Sequence, residues 1–129
     1  MPYHIEWRNR GVYWSYTGVV TGEDILQSNF DIYGDERFDN LRYQIVNLLE
    51  AEKIEVSERH MQKIACLDTA AAQTNKKVFV AIIAREAEAR NLQKLYAKHA
   101  RGESWPSRLF GSVKDAESWV AAQLGTALV

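Results

Sequence analysis

The sequence predicts an α/β fold: a mixed, mostly parallel five-stranded sheet with an N-terminal β-hairpin and four helices, built by residues 1–129 as a single domain. Three observations predict it. Lys77-Val78-Phe79-Val80-Ala81-Ile82-Ile83-Ala84 sets seven apolar residues after one lysine. With no polar residue alternating, neither side of this stretch is matched to water, which is the pattern of a central parallel strand buried on both faces. Helical patterns stand before and after it, the order of a β/α succession. At the amino end two short segments alternate with period two, the pattern of a hairpin.

Taken in order, Tyr3, Ile5 and Trp7 share one side of the first segment, and Val12, Trp14 and Tyr16 share one side of the second. Asn9-Arg10-Gly11 between them reads as the turn, so the two strands should run antiparallel. Gly18 to Gly22 leads into a helix with Thr21 as N-cap, Glu23 and Asp24 in its first turn, and Ile25, Leu26, Phe30 and Tyr33 as its apolar stripe. Gly34 ends this helix in the manner of a C′ glycine, and Asp35 to Asn40 reads as a polar loop. Leu41 to Leu48 is the next strand, bordering the central one. Glu50 to Glu55 reads as charged and exposed, with Ile54 and Val56 as anchors.

Ser57 caps a helix running to about Thr74, with Met61, Ile64, Ala65, Leu67, Ala71 and Ala72 inward. After the central strand a helix is expected from Glu86 to His99, with Ala89, Leu92, Leu95, Tyr96 and Ala100 inward and Gly102 as its stop. Arg108-Leu109-Phe110 is the last strand. Ser112 and Asp115 form an S-x-x-D capping box for a final helix with Ala116, Trp119, Val120 and Leu124 inward, followed by a frayed tail from Gly125.

Composition bounds the function classes. A net charge of −1 supplies no basic field for nucleic acid or an anionic membrane. Cys66, the single cysteine, can form neither an internal disulfide nor a zinc site with other cysteines, which fits a reducing compartment. The N-terminus shows no signal segment, and no apolar run approaches the roughly 20 residues that span a bilayer. A cytoplasmic protein is expected.

No motif announces a reaction. Gly18-Val19-Val20-Thr21-Gly22 lacks the lysine of a P-loop and the third glycine of a dinucleotide fingerprint. His4, His60 and His99 have no metal spacing and read as helix or core-edge residues. Cys66 reads as an unreactive thiol. Ser57, His60 and Asp68 can be assembled on paper, yet Ser57 and His60 share a helical turn and no nucleophile elbow frames the serine. No catalytic, metal or cofactor residues are assigned. Most of the tryptophans and tyrosines fall on inward stripes as core, whereas Tyr13 points the other way and is expected at the surface.

The order of landmarks resembles the SpoIIAA-like family, also described as STAS/SEC14-type domains. The landmarks are Thr17-Gly18-Val19-Val20-Thr21-Gly22-Glu23-Asp24, then Asp35-Glu36-Arg37-Phe38 ahead of Leu41-Arg42-Tyr43-Gln44-Ile45-Val46-Asn47, Val56-Ser57 opening the helix that holds Asp68-Thr69-Ala70-Ala71, and Glu117-Ser118-Trp119-Val120. The resemblance covers nearly the whole chain and implies a SpoIIAA-like β/α superhelix that needs no catalytic set. Related anti-anti-sigma regulators carry a phosphorylatable serine in an Asp-Ser-type motif at a helix start. Here Asn47 ends the strand, a charged stretch intervenes, and Ser57 is the serine at the helix start, so the compact motif is absent.

These readings lead to a non-catalytic regulatory or protein-interaction module, with a carrier or sensor of a small apolar ligand or lipid as the alternative and a small enzyme third. A ligand or partner is expected at the carboxyl ends of the parallel strands, near Asn47, Glu50, Ser57 and Arg85. Asp68 joins this set because about 100° per residue from Ile64 brings it into the apolar stripe, where a carboxylate needs a donor; Arg42, Arg85 or a loop amide are the expected sources. Right-handed crossovers in one direction place helices on one face of the sheet. The other face is then poorly covered beside an aromatic hairpin, which predicts a homodimer.

Overall fold

The computed structural model describes residues 2–99 and 105–125. The first two strands, β1 (Tyr3–Arg8) and β2 (Gly11–Tyr16), form the hairpin; Arg10 takes its tight corner at a φ of 63°. Next come β3 (Gly18–Thr21), α1 (Gly22–Tyr33), a 3-10 turn (Glu36–Asn40), β4 (Tyr43–Asn47), β5 (Ala51–Glu55), α2 (Glu58–Thr74), β6 (Phe79–Ile83), α3 (Glu86–His99), β7 (Ser107–Phe110) and α4 (Val113–Leu124). The main sheet has five strands in the order β1-β2-β4-β6-β7, with β1 antiparallel to β2 and every other pair parallel. The mixed, mostly parallel sheet and four helices read from the sequence are therefore present. The expected middle strand is displaced by one place, however: β4 lies at the centre and β6 beside it.

The caps lie where the side chains called for them. Thr21 accepts from the Asp24 amide while Asp24 accepts from the Thr21 amide, a reciprocal box. Ser57 Oγ accepts from the His60 amide at 3.1 Å, and Ser112 Oγ from the Asp115 amide at 3.2 Å. Gly34 departs from expectation, since its φ of −86° is right-handed and any residue could adopt it. The left-handed C-cap is Gly125, at φ 72°.

Two strands escaped the sequence reading. Gly18–Thr21 and Ala51–Glu55 pair in parallel as a separate two-stranded sheet. Ala51 and Val20 are buried in it, while Glu52, Lys53 and Glu55 are exposed, so the charged stretch before Ser57 is an exposed strand. Glu36–Asn40, capped by Asp35, is likewise a turn of 3-10 helix that buries Phe38. In α1 the stripe is rotated: Phe30 is 52% exposed, and Ile32, with Ser28 and Asn29, faces the core instead. Ser28 is tolerated there because its hydroxyl bonds the Tyr16 hydroxyl at 2.6 Å and donates to the Ile25 carbonyl. Ala100, Gly102 and the tail beyond Gly125 lie outside the described residues.

The sheet has two different faces. On one, Val12, Trp14 and Tyr16 of β2 cluster with Ile32 of α1, Ala71 of α2 and Ala89 of α3. On the other, Tyr43, Ile45, Ala81 and Ile83 are fully buried against Ala116 and Val120 of α4. This corrects the expectation of a poorly covered second face, because α4 crosses over to it. Tyr13 packs in that cluster, and its hydroxyl accepts from Asn47 Nδ2 at 2.7 Å rather than facing open solvent. The case for a homodimer loses its premise with it.

Candidate functional site

The faces differ in packing as well as in neighbours. In β6, Ala81 and Ile83 are buried, while Val80 and Ile82 on the opposite side keep part of their surface, as does Val46 of β4. The strand predicted to be closed on both sides is closed on one. The difference is a cavity of about 220 Å3 between the sheet and helices α1, α2 and α3. Its walls are largely aliphatic and aromatic, including Val46, Val80, Ile82, Ile64, Leu92 and Trp105. The helix α3 explains the gap. Only Ala89 of its inner face is fully buried, and Leu92, Leu95 and Tyr96 are half-buried, so the helix stands away from the strands.

Polar residues interrupt this wall, among them Gln93 of α3 and Ser107 and Arg108 of β7, and two places carry buried polar groups. On the helix side is Asp68 of α2. Its Oδ1 accepts from the Tyr33 hydroxyl at 2.8 Å and from Asn29 Nδ2 at 3.4 Å, and its Oδ2 from the Tyr96 hydroxyl at 3.2 Å. Donors from α1 and α3 thus converge on one carboxylate, in place of the arginines or loop amide expected. Arg42 is spent on the carbonyls of Asp39 and Leu41, and Arg85 on Glu88 and the Ala51 carbonyl. Burial pushes the Asp68 carboxyl up from 3.8 to about 6, against the pull of the two tyrosine hydroxyls. The Tyr33 and Tyr96 phenols are raised by their own burial first and by the Asp68 charge second.

On the sheet side are Trp14 of β2 and Gln44 of β4, each 2% exposed and each lining the cavity. Val12 lies opposite Gln44 and Trp14 opposite Val46, so the two side chains are diagonal neighbours on the same face of adjacent strands. Trp14 Nε1 and Gln44 Nε2 are buried and make no hydrogen bond of good geometry, although the Gln44 amide lies near the Tyr33 hydroxyl. Native structures rarely leave such donors unpaired.

Of the residues expected at a site, only Asp68 lines the cavity. Asn47 turns to the α4 side, where it donates to Tyr13 and accepts from the Leu49 amide at 3.0 Å. Glu50 is exposed in the β4–β5 turn, Ser57 caps α2, and Arg85 is exposed ahead of α3. The structure does not gather these four with Asp68. Trp14, Gln44, Tyr33 and Tyr96 were not singled out as site residues. Gln44 did carry a signal, because it is an amide in a strand otherwise buried on both faces, Tyr43-Gln44-Ile45-Val46. Among the described residues, no three His, Cys, Asp or Glu side chains are grouped to hold a metal ion.

Comparison of the fold with solved structures gives two informative neighbours. The anti-sigma factor antagonist SpoIIAA, in its unphosphorylated form, superposes with a TM-score of 0.56 over 88% of this chain and 91% of its own, at 9% identity. An uncharacterised protein of the DUF3478 family from Shewanella loihica PV-4, described as having a SpoIIAA-like fold, superposes with a TM-score of 0.58 over 92% of this chain and 91% of its own, at 16% identity. This chain has the SpoIIAA-like fold. No family model and no curated protein matches the sequence. At such identities the shared feature is the course of the backbone. Within the SpoIIAA-like fold of this chain, β5 occupies the stretch between Asn47 and Ser57 where a compact Asp-Ser-type motif was absent from the sequence.

Proposed function

We propose that the chain is a non-catalytic regulatory or protein-interaction module of the cytoplasm. The observation that supports this reading most is the fold shared with SpoIIAA, an anti-sigma factor antagonist. Fold alone is an analogy, so the partner surface is argued from position. The carboxyl ends of β4 and β6 carry Glu50 and Arg85 exposed, with Ser57 exposed at the head of α2. These residues offer both charge signs to a protein partner. Affinity purification from the native cells should retain one protein at fixed stoichiometry, and Glu50→Lys with Arg85→Glu should release it. Retention by the double variant would move the surface elsewhere, and recovery of no stoichiometric partner would refute the reading.

A second reading, that the domain carries or senses a small apolar ligand, is favoured by the cavity and its unpaired donors. A module can combine both properties if occupancy of the cavity shifts how α2 and α3 present their exposed ends. Native mass spectrometry separates the cases, since a retained small molecule supports the ligand and a clean 14.8 kDa mass supports the module alone.

A further inference from the structure

The cavity's chemistry narrows the ligand, an inference that rests on the second reading above. About 220 Å3 is more than the 150 Å3 that accommodates benzene in an engineered apolar cavity, and it corresponds to on the order of ten non-hydrogen atoms. A long acyl chain exceeds that space and would have to extend out of it. The lining is mainly aliphatic and aromatic, so most of the ligand has to be apolar.

The polar groups then decide the rest. Asp68 already receives Tyr33, Tyr96 and Asn29, so its oxygens have little left to accept. Trp14 Nε1 is in the opposite condition, a buried donor with no acceptor, and Gln44 Nε2 has near it only the Tyr33 hydroxyl, whose proton is given to Asp68. An indole N–H can only donate. The partner these groups lack has to arrive with the ligand and has to be an acceptor. A carboxylate would bring a second negative charge into a space that already holds Asp68, and the cation in the lining, Arg108, is exposed and turned over the Phe110 ring instead. An ammonium group would face an occupied Asp68 and leave both donors unpaired. A neutral carbonyl or ether oxygen satisfies the donors without adding charge.

We infer that the cavity between the sheet and helices α1–α3 binds a compact, uncharged, mainly apolar molecule of about ten non-hydrogen atoms, through one oxygen acceptor held by the indole N–H of Trp14 and the amide of Gln44.

The test titrates four probes of matched size into the full-length protein: acetophenone, its hydrocarbon counterpart α-methylstyrene, benzoate and phenethylamine. Binding is followed by the four tryptophan indole N–H resonances, with Trp14 assigned through Trp14→Phe or, where that variant does not fold, through space in the native chain. The expected result is saturable binding of acetophenone about tenfold tighter than α-methylstyrene, the size of one good hydrogen bond to a buried donor. The Trp14 indole proton should shift downfield with the ketone and not with the hydrocarbon. In Trp14→Phe the preference for the ketone should shrink while hydrocarbon binding persists. Equal binding of ketone and hydrocarbon overturns the acceptor assignment and leaves the cavity a ligand site. Tighter binding of benzoate or phenethylamine overturns the neutral class. Binding of none of the four at millimolar concentration overturns this inference; a small molecule retained in native mass spectrometry would then leave the second reading standing, and a clean mass would remove both.

Discussion

Burial makes the Asp68 carboxyl keep its proton to a higher pH than a free carboxyl does. Tyr33 and Asn29 face it from α1 and Tyr96 from α3; the sheet side of the cavity offers the uncharged Trp14, Gln44, Tyr16 and Ser107, and the cation in its lining, Arg108, is exposed and turned over the Phe110 ring. With its carboxyl raised from 3.8 to about 6, the folded chain binds more protons than the unfolded chain between those values. Stability therefore falls as pH rises from about 4 to about 6, and the contribution is fully present only below that window. The step should be of the order of 1–2 kcal/mol after allowing for the part exposure of the residue. Asp68→Asn should flatten this step, and urea titrations of both proteins at pH 4 and pH 7 check it. An unchanged pH profile would place the titration elsewhere. Gly11 supplies a second test at this scale. A Cβ there would come within 2.0 to 2.4 Å of three atoms of the Tyr43 ring, which is itself buried beneath α4. Gly11→Ala should destabilise the fold by about 1–3 kcal/mol, as overpacking does. A chemical melt that moves by less than half a kcal/mol would mean that the ring has room to move. The sequence showed Asp68 as anomalous through helical spacing, but it could not show the donors, because Tyr33 and Tyr96 lie 35 and 28 residues away.

Helices were legible because their ends are written in side chains. Thr21, Ser57 and Ser112 each cap the helix that follows, and each could be read locally. Strands β3 and β5 were not legible: β3 is only four residues, Gly18–Thr21, leading straight into a helix, and β5 is not strand-like alone. Ala51-Glu52-Lys53-Ile54-Glu55 offers little apolar surface and becomes a strand by pairing with Gly18–Thr21, some 33 residues earlier. The stripe of α1 was misread for a related reason. Ser28 is admitted to the core by a hydrogen bond from another element, displacing Phe30 to the surface. The Ser57 cap can be separated from any other role of that serine. Ser57→Ala should lose about 1 kcal/mol of stability, while Ser57→Asp, which keeps an acceptor at the N-cap, should lose little. Equal losses in thermal melts of the two variants would show that the hydroxyl matters through its 2.9 Å contact with His60 Nδ1 instead.

At the scale of the whole molecule, the mostly parallel sheet was written in apolar runs, whereas the difference between its faces was not. The run Val78–Ala84 is equally apolar on both sides, yet α4 closes one face tightly and α3 stands off from the other. Volume filling depends on how distant helices seat, which periodicity does not encode. The closure by α4 also bears on self-association. Val120 is fully buried over Tyr43, Ile45, Ala81 and Ile83, so among the described residues this helix is the element that covers a continuous apolar face. Val120→Asp places a charge in that contact without a partner, a change that costs several kcal/mol and is relieved if α4 lifts away. The uncovered face would then meet another copy. With both faces covered, the wild-type chain is expected to scatter light as a 14.8 kDa monomer across micromolar concentrations, and the variant as larger species. A wild-type dimer would place self-association on a surface other than the sheet faces, and a monomeric, fully folded variant would show that α4 is not what keeps the second face from a partner.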